Sequence, residues 1–241
     1  MAELPRLNPV IAALEAGKVA FTTFAPADTG TAIELAASKY DGVVFEMEHS
    51  PWDGRGLRDC LQYMLNRKQI AESGSIANKV APMVRIPPNG VEKGNWHAKQ
   101  ALDMGCYGII WPHISTVEEA RNAVASCRYP RLKSAPRYEP AGIRGDAPAT
   151  AARYWGLTQQ EYYTRADVWP LDPKGEVLAV LQIEDTRGIE INHGFAERTT
   201  FIVSPDGKIV ATLSGLAPEA NVAKALEVVQ KLADANVNEK W

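Results

Sequence analysis

The sequence predicts an α/β fold built on a parallel sheet, open or closed, and three observations carry that prediction. Strand-like and helix-like stretches alternate with short connections over the first three quarters of the chain. The fifth strand-like stretch, residues 177–184, is rich in Val, Leu and Ile, as a strand covered on both faces is. Near the end the grammar changes: two β-rich runs flank Asp206-Gly207, a hairpin signal attached to a βα chain.

Each element has its own signal. A short amphipathic helix after Pro9 precedes a first strand at residues 18–24 and a helix at 31–39. The second strand, 42–47, leads to a helix at 54–67, and the third, 81–86, to a helix at 93–104. The fourth strand, 108–113, is followed by a helix at 116–127, whose start is marked by the capping-box pair Thr116 and Glu119. Residues 128–176 are rich in Pro, Arg, Tyr and Ala and read as one long loop: a lid, a binding loop, an oligomer contact or a solvated insertion. Beyond the fifth strand come strands at 199–203 and 209–213, and Pro218 opens a helix over 219–235.

With 241 residues, 46% of them hydrophobic, the chain can bury a full core. A formal net charge of −3 argues against a nucleic-acid surface or an anionic-membrane binder. There is no apolar run of membrane-spanning length, and the N-terminus lacks the basic start and apolar core of a signal peptide. Cys60, Cys106 and Cys127 have no metal spacing and leave one cysteine over in any disulfide scheme. Reduced thiols and a cytoplasmic location are the expectation.

The chemistry gathers at strand ends. Strand two runs Val43-Val44-Phe45 and then turns polar with Glu46, Glu48 and His49. Arg85 lies near the end of strand three, His113 ends strand four, and Gln182, Glu184 and Asp185 end strand five. Alternation puts Gln182 and Glu184 on one face. In βα architectures the carboxyl ends of the strands are where active sites sit. An imidazole, a fixed cation and carboxylates on one rim suit proton abstraction beside a carbonyl, with a hard divalent ion polarising the oxygens. Plainer readings stand beside this one. Arg85 could simply pair with Glu46 or Glu48, Glu184 could neutralise Arg187, and His113 could be a satisfied strand-end histidine.

Phe45-Glu46-Met47-Glu48-His49 resembles the strand-end Asp-x-Glu-His signature of the HpcH/HpaI aldolase family. In the same order as in that family come Val84-Arg85-Ile86-Pro87, Ala101-Leu102-Asp103-Met104-Gly105, Ile109-Ile110-Trp111-Pro112, Gly142-Ile143-Arg144-Gly145 and Gln182-Ile183-Glu184. The resemblance covers roughly residues 15–192. It implies a TIM-type (β/α) barrel and class II, metal-dependent pyruvate aldolase activity with Mg²⁺, Mn²⁺ or Co²⁺. The substrates would be pyruvate or another 2-keto acid and an aldehyde, and the protein a homo-oligomer. By resemblance His49 is the general base and Glu46, where the family has Asp, orients it. Arg85 holds pyruvate and stabilises the enolate, Gln182 lines the pyruvate pocket, Glu184 binds the metal, and Asp103 lies near the aldehyde end or a subunit contact. An oxaloacetate decarboxylase and a catalytically inactive relative are the alternatives.

The pattern departs after residue 192. The family's second metal carboxylate, its Gly-Pro-x-Asp-Leu-Ser motif and its last barrel strands have no counterpart in the sequence. The barrel is therefore expected to be incomplete, with about five βα units. From Glu197 through Ile209 the chain instead resembles the C-terminal part of a peroxiredoxin, without a cysteine to act as its thiol. The expected division is an aldolase-like region, 1–194, and a hairpin-plus-helix tail, 195–241.

Overall fold

The computed structural model describes residues 4–88, 94–183, 200–203 and 209–213, with Ala220, Lys224, Glu227 and Lys231 individually. The chain forms two compact units, Met1–Glu184 and Asp185–Trp241. The expected boundary at 194/195 lies outside the described residues.

Five strands make the sheet of the first unit: β1 (Thr22–Ala25), β2 (Gly42–Glu46), β3 (Ala81–Arg85), β4 (Gly108–Ile114) and β5 (Leu178–Ile183). They pair in chain order and all in parallel. Among the described residues β1 and β5 are the edges. Val43, Val44, Phe45, Met83, Val84, Ile109 and Trp111 are all buried, which is why these runs are apolar without strict alternation.

The connecting helices are α2 (Thr29–Ala36), α3 (Gly54–Met64), α4 (Arg67–Ser73), α5 (Trp96–Met104) and α6 (Val117–Ser126), after an opening α1 (Pro9–Glu15). On α3, Leu57, Cys60, Leu61 and Met64 are buried at the spacing of one helical face. The Thr116–Glu119 box closes in both directions and starts α6. Gly105 ends α5 at φ 113°, and a Cβ there would meet Tyr154 at 2.6 Å; glycine is what lets the chain turn into β4 beneath that ring.

Two expectations are corrected. The helix at 54–67 is two helices, because Leu65 is extended and Asn66 caps α4 by accepting the N–H of Gln69 at 3.1 Å. The segment 128–176 is not a structureless loop. It contains α7 (Ala149–Trp155) and α8 (Gln159–Arg165), which bury Tyr154, Trp155 and Tyr162, and Thr158 with Glu161 forms a second capping box. The segment is pinned by Arg128, whose buried guanidinium donates to Asp167 Oδ1 (2.8 Å) and to the carbonyls of Arg137 and Pro140 (both 2.8 Å). Removing one partner of such a buried pair costs about 3–5 kcal/mol.

In the second unit, β6 (Thr200–Val203) and β7 (Ile209–Leu213) pair antiparallel, as the hairpin signal predicts. The Asp206-Gly207 turn lies outside the described residues. Ala220, Lys224, Glu227 and Lys231 are helical, and both lysines pair with Glu227, at 2.8 and 2.6 Å. Among the described residues no helix is long and apolar enough to cross a membrane.

Candidate active site

The carboxyl ends of β2, β3, β4 and β5 bring their polar side chains together around Arg85. Glu46 and Arg85 are register partners across β2 and β3. Glu46 Oε2 accepts from Arg85 Nε at 2.7 Å and also from Nη2. Glu46 Oε1 turns back to accept the backbone N–H groups of Glu48 (2.8 Å) and His49 (3.2 Å). One carboxylate therefore fixes both the guanidinium and the turn that follows β2. Burial raises the Glu46 pKa, but the Arg85 hydrogen bond and the two backbone donors outweigh it, and the carboxyl is held below its ordinary value.

Glu48 is the buried hub, with its side chain 3% exposed. Its Oε1 lies 3.0 Å from His113 Nε2, and its Oε2 lies 2.9 Å from Arg85 Nη1 and 3.5 Å from His49 Nε2. The Arg85 contact is within ion-pair distance but off the hydrogen-bond direction, so Oε2 is a buried oxygen with charge contacts and no hydrogen bond. Gln182 on β5 supplies the other side, its Oε1 accepting from Arg85 Nη1 at 3.3 Å. Phe24 of β1 lies under the guanidinium, 4.8 Å from Cζ to the ring centroid, a cation–π contact.

The structure thus brings together Glu46, His49, Arg85 and Gln182 of the residues expected from the sequence. The His49 ring faces Glu48, while Glu46 holds the His49 backbone; the ring itself is 71% exposed. Glu184 lies outside the described residues. Phe24 is a member that sequence reasoning left without a role, whereas Glu48 was read as a possible partner of Arg85, which the structure places 2.9 Å away. Glu48 carried a signal, two residues beyond Glu46 in the same acidic tip; Phe24 carried none.

Asp103 is placed elsewhere. It sits on α5, where Arg144 Nη2 donates to its Oδ1 at 3.1 Å and to the Tyr162 hydroxyl at 2.9 Å. Burial pushes the Asp103 pKa up, against the pull of Arg144. Arg144 is itself fully buried, with Cζ 4.4 Å from the Tyr129 ring centroid. Gly142, ahead of it, passes so close to the Tyr129 carbonyl that a Cβ would lie 2.2 Å from the oxygen. The Gly142-Ile143-Arg144-Gly145 motif is therefore a clasp binding the helical insertion to α5. An open groove of about 510 Å³ beside it is lined by Trp52, Arg55, Arg58, Gln100, Asp103 and Thr150, among others. It belongs to the helical layer and includes none of the strand-tip residues, so the charged rim around Arg85, not this groove, is the candidate site.

A parallel βα sheet with its charged groups at the carboxyl ends of the strands defines an α/β protein of the TIM-barrel type. Residues 21–198 match the family model for HpcH/HpaI aldolase/citrate lyase, and the chain belongs to that family. It is 30% identical over 206 residues to the 5-keto-4-deoxy-D-glucarate aldolase of Escherichia fergusonii, covering 84% of this chain and 68% of the relative. It is 28% identical over 156 residues to the hydroxypyruvate/pyruvate aldolase of Paraburkholderia phytofirmans, covering 65% of this chain and 50% of the relative. A crystal structure of an HpcH/HpaI aldolase/citrate lyase family protein from Burkholderia cenocepacia superposes with a TM-score of 0.54 at 26% identity, over 75% of this chain and 61% of that one. The chain spans between half and about two thirds of the lengths of these relatives.

Proposed function

We propose that the protein is a metal-dependent pyruvate aldolase, a carbon–carbon lyase joining or separating pyruvate and an aldehyde through a pyruvate enolate. The observation that carries this reading is the Arg85 guanidinium, held at the rim by Glu46 and Glu48 from one side and Gln182 from the other. The names of the two aldolase relatives support the same class of reaction.

In this reading Arg85 binds the pyruvate carboxylate and keto oxygen and meets the charge that develops on that oxygen. Gln182, already bonded to Arg85, lines the same pocket. His49 removes a methyl proton from C3; the C–H electron pair becomes the C2–C3 double bond, and the carbonyl π pair moves to oxygen. Glu46 is a positioning residue, holding both Arg85 and the turn that carries His49.

Glu184 is the metal ligand in this reading. Among the described residues no three His, Cys, Asp or Glu side chains are grouped to hold an ion. The donor they add is Glu48 Oε2, buried and without a hydrogen bond. A carboxylate oxygen of this kind suits a hard divalent cation. Such an ion supplies Lewis-acid polarisation of the keto oxygen.

The test is deuterium exchange into the pyruvate methyl group in D₂O, followed by NMR with Mn²⁺, Mg²⁺ or Co²⁺ and with EDTA. Metal-dependent exchange that disappears in H49A supports the reading. A folded protein that exchanges no faster than metal alone rules it out.

A further inference from the structure

We propose that the open edge of β1 is an interface between two copies of this chain, joined strand to strand about a two-fold axis through Thr23. The proposal concerns assembly and does not depend on the aldolase reading.

The composition of the edge is the first observation. Among the described residues β1 has β2 on one side and no strand on the other. Edge strands are ordinarily blunted by charge, proline or a bulge. Residues 19–25 contain no charge, no proline and no glycine, and they include two phenylalanines and two threonines. Short uncharged runs of that kind are the ones that pair with other chains. Val19, Phe21 and Phe24 are 46%, 53% and 55% exposed. Alternation puts Phe21 on one face of the strand and Phe24 on the other, so water meets aromatic surface on both faces of the edge.

The direction of the backbone groups is the second observation. Phe21 turns its N–H to the Asp41 carboxylate at 2.7 Å, and its carbonyl accepts the N–H groups of Asp41 and Gly42, both toward β2. With β1 in unbroken register on β2, Thr23 and Ala25 face the same way. Thr22 and Phe24 therefore direct their N–H and carbonyl groups outward. Pro26, which has no N–H, ends the row.

A second copy, run antiparallel, fits this row. About an axis at Thr23, Thr22 exchanges both backbone bonds with Phe24 of the second copy, and Phe24 does so with Thr22 of that copy. The two Thr23 residues meet as the closer, non-hydrogen-bonded pair between them. The two Phe24 rings fall on one face at a diagonal that aromatic side chains can reach. Lys18 of each chain is drawn toward Asp28 of the other, which puts opposite charges at both ends of an uncharged centre. This arrangement is self-complementary, and it uses up the edge in both chains, so the assembly closes at two. It also covers Phe24, whose ring lies 4.8 Å from Arg85 Cζ.

The test combines sedimentation velocity with a directed cross-link. The wild type should sediment at twice the 26.3 kDa mass of the chain. T22P removes an outward N–H and no bond to β2, and F21K places a charge on the edge; both should sediment as single chains, with wild-type circular dichroism. T23C should form an interchain disulfide under mild oxidation, because a non-hydrogen-bonded pair brings the Cα atoms to about 4.5 Å, within disulfide range. Cys60, Cys106 and Cys127 are buried, so the introduced thiol is the exposed one. V117C, at a position 78% exposed on α6, is the control for random collision and should stay unlinked. A double variant, T22P with T23C, should lose the cross-link. A single-chain wild type whose T23C variant links no faster than V117C overturns the proposal, as does a wild-type assembly whose mass both T22P and F21K leave unchanged. An open-ended aggregate in place of a dimer overturns it too, since a two-fold pairing closes.

Discussion

Glu46 and Arg85 meet twice: their backbones are register partners across β2 and β3, and their side chains pair again above the sheet end through Arg85 Nε at 2.7 Å. The pair ties two neighbouring strand tips together at the point where the βα turns begin. Because the same carboxylate also accepts the N–H groups of Glu48 and His49, its charge supports the local fold as well as the cation.

This predicts a pH dependence. The folded Glu46 carboxyl takes up its proton less readily than the unfolded one, despite a burial contribution in the other direction, because Arg85 and two backbone donors favour the charged form. The stabilisation is therefore complete above the ordinary carboxylate range, about pH 4.3, and is lost as the pH falls through the lower, folded value. Thermal melts from pH 7 to pH 3 should show that loss in the wild type and a shallower acid limb in E46Q. At neutral pH E46Q should be less stable by about 2 kcal/mol, the scale of charge-assisted hydrogen bonds. Parallel acid limbs for the two proteins would contradict this account.

Arg85 to Lys separates charge from geometry. Lysine keeps the positive charge beside Glu48 but loses the planar fork that reaches Glu46, Glu48 and Gln182 together. Pyruvate methyl exchange in R85K should fall on the order of 10²–10³-fold, as when a preorganised donor to a developing oxyanion is removed. Circular dichroism should stay that of the wild type. An exchange rate within threefold of wild type would remove Arg85 from the chemistry.

Chelation gives a third test. EDTA should abolish exchange and Mn²⁺ should restore it, while E184A should bind Mn²⁺ more weakly by isothermal titration calorimetry. Losing even an outer-shell partner of a metal ligand typically costs 10–100-fold in affinity, so loss of the ligand itself should cost at least about tenfold. Equal Mn²⁺ affinity in wild type and E184A would place the ion elsewhere.

Strands β2, β3 and β4 were legible because each is a short apolar run buried on both faces, a pattern that survives without tertiary information, whereas Phe24 of β1 and Val180 of β5 are exposed. The Thr116–Glu119 box was legible for the same local reason. Helices α7 and α8 were not read, although Thr158 and Glu161 repeat that box. At seven residues each they are too short to show a helical period, and the surrounding Pro and Arg look like loop. Pro112 in a central strand announced the bulge between Trp111 and Ile114, and that signal went unused. At the site, residue types were readable and partners were not. That Glu48, beyond β2, meets Arg85 of β3 and His113 of β4, or that Phe24 of β1 supports Arg85, depends on how the strands are ordered and registered, which no single strand encodes.

Asp103 supplies the last prediction, because sequence and structure give it different work. Resemblance puts it near the aldehyde or at a subunit contact; the structure makes it, among the described residues, the carboxylate bonded to Arg144, a guanidinium with no exposed side-chain surface. If its work is anchoring, D103A leaves that cation buried without its anion, and the cost is about 3–5 kcal/mol. The effect should be seen as a large fall in melting temperature and as early proteolysis within residues 128–176. Pyruvate exchange measured well below the melting temperature should persist, since no bond joins Asp103 to the Arg85 cluster among the described residues. An aldehyde-binding role gives the opposite pattern, an unchanged melting curve with a raised aldehyde KM. The burial of Arg144 between Tyr129 and Tyr162 decides between them in advance: a cation so enclosed depends on its counter-charge, and the fold should register the loss before the chemistry does.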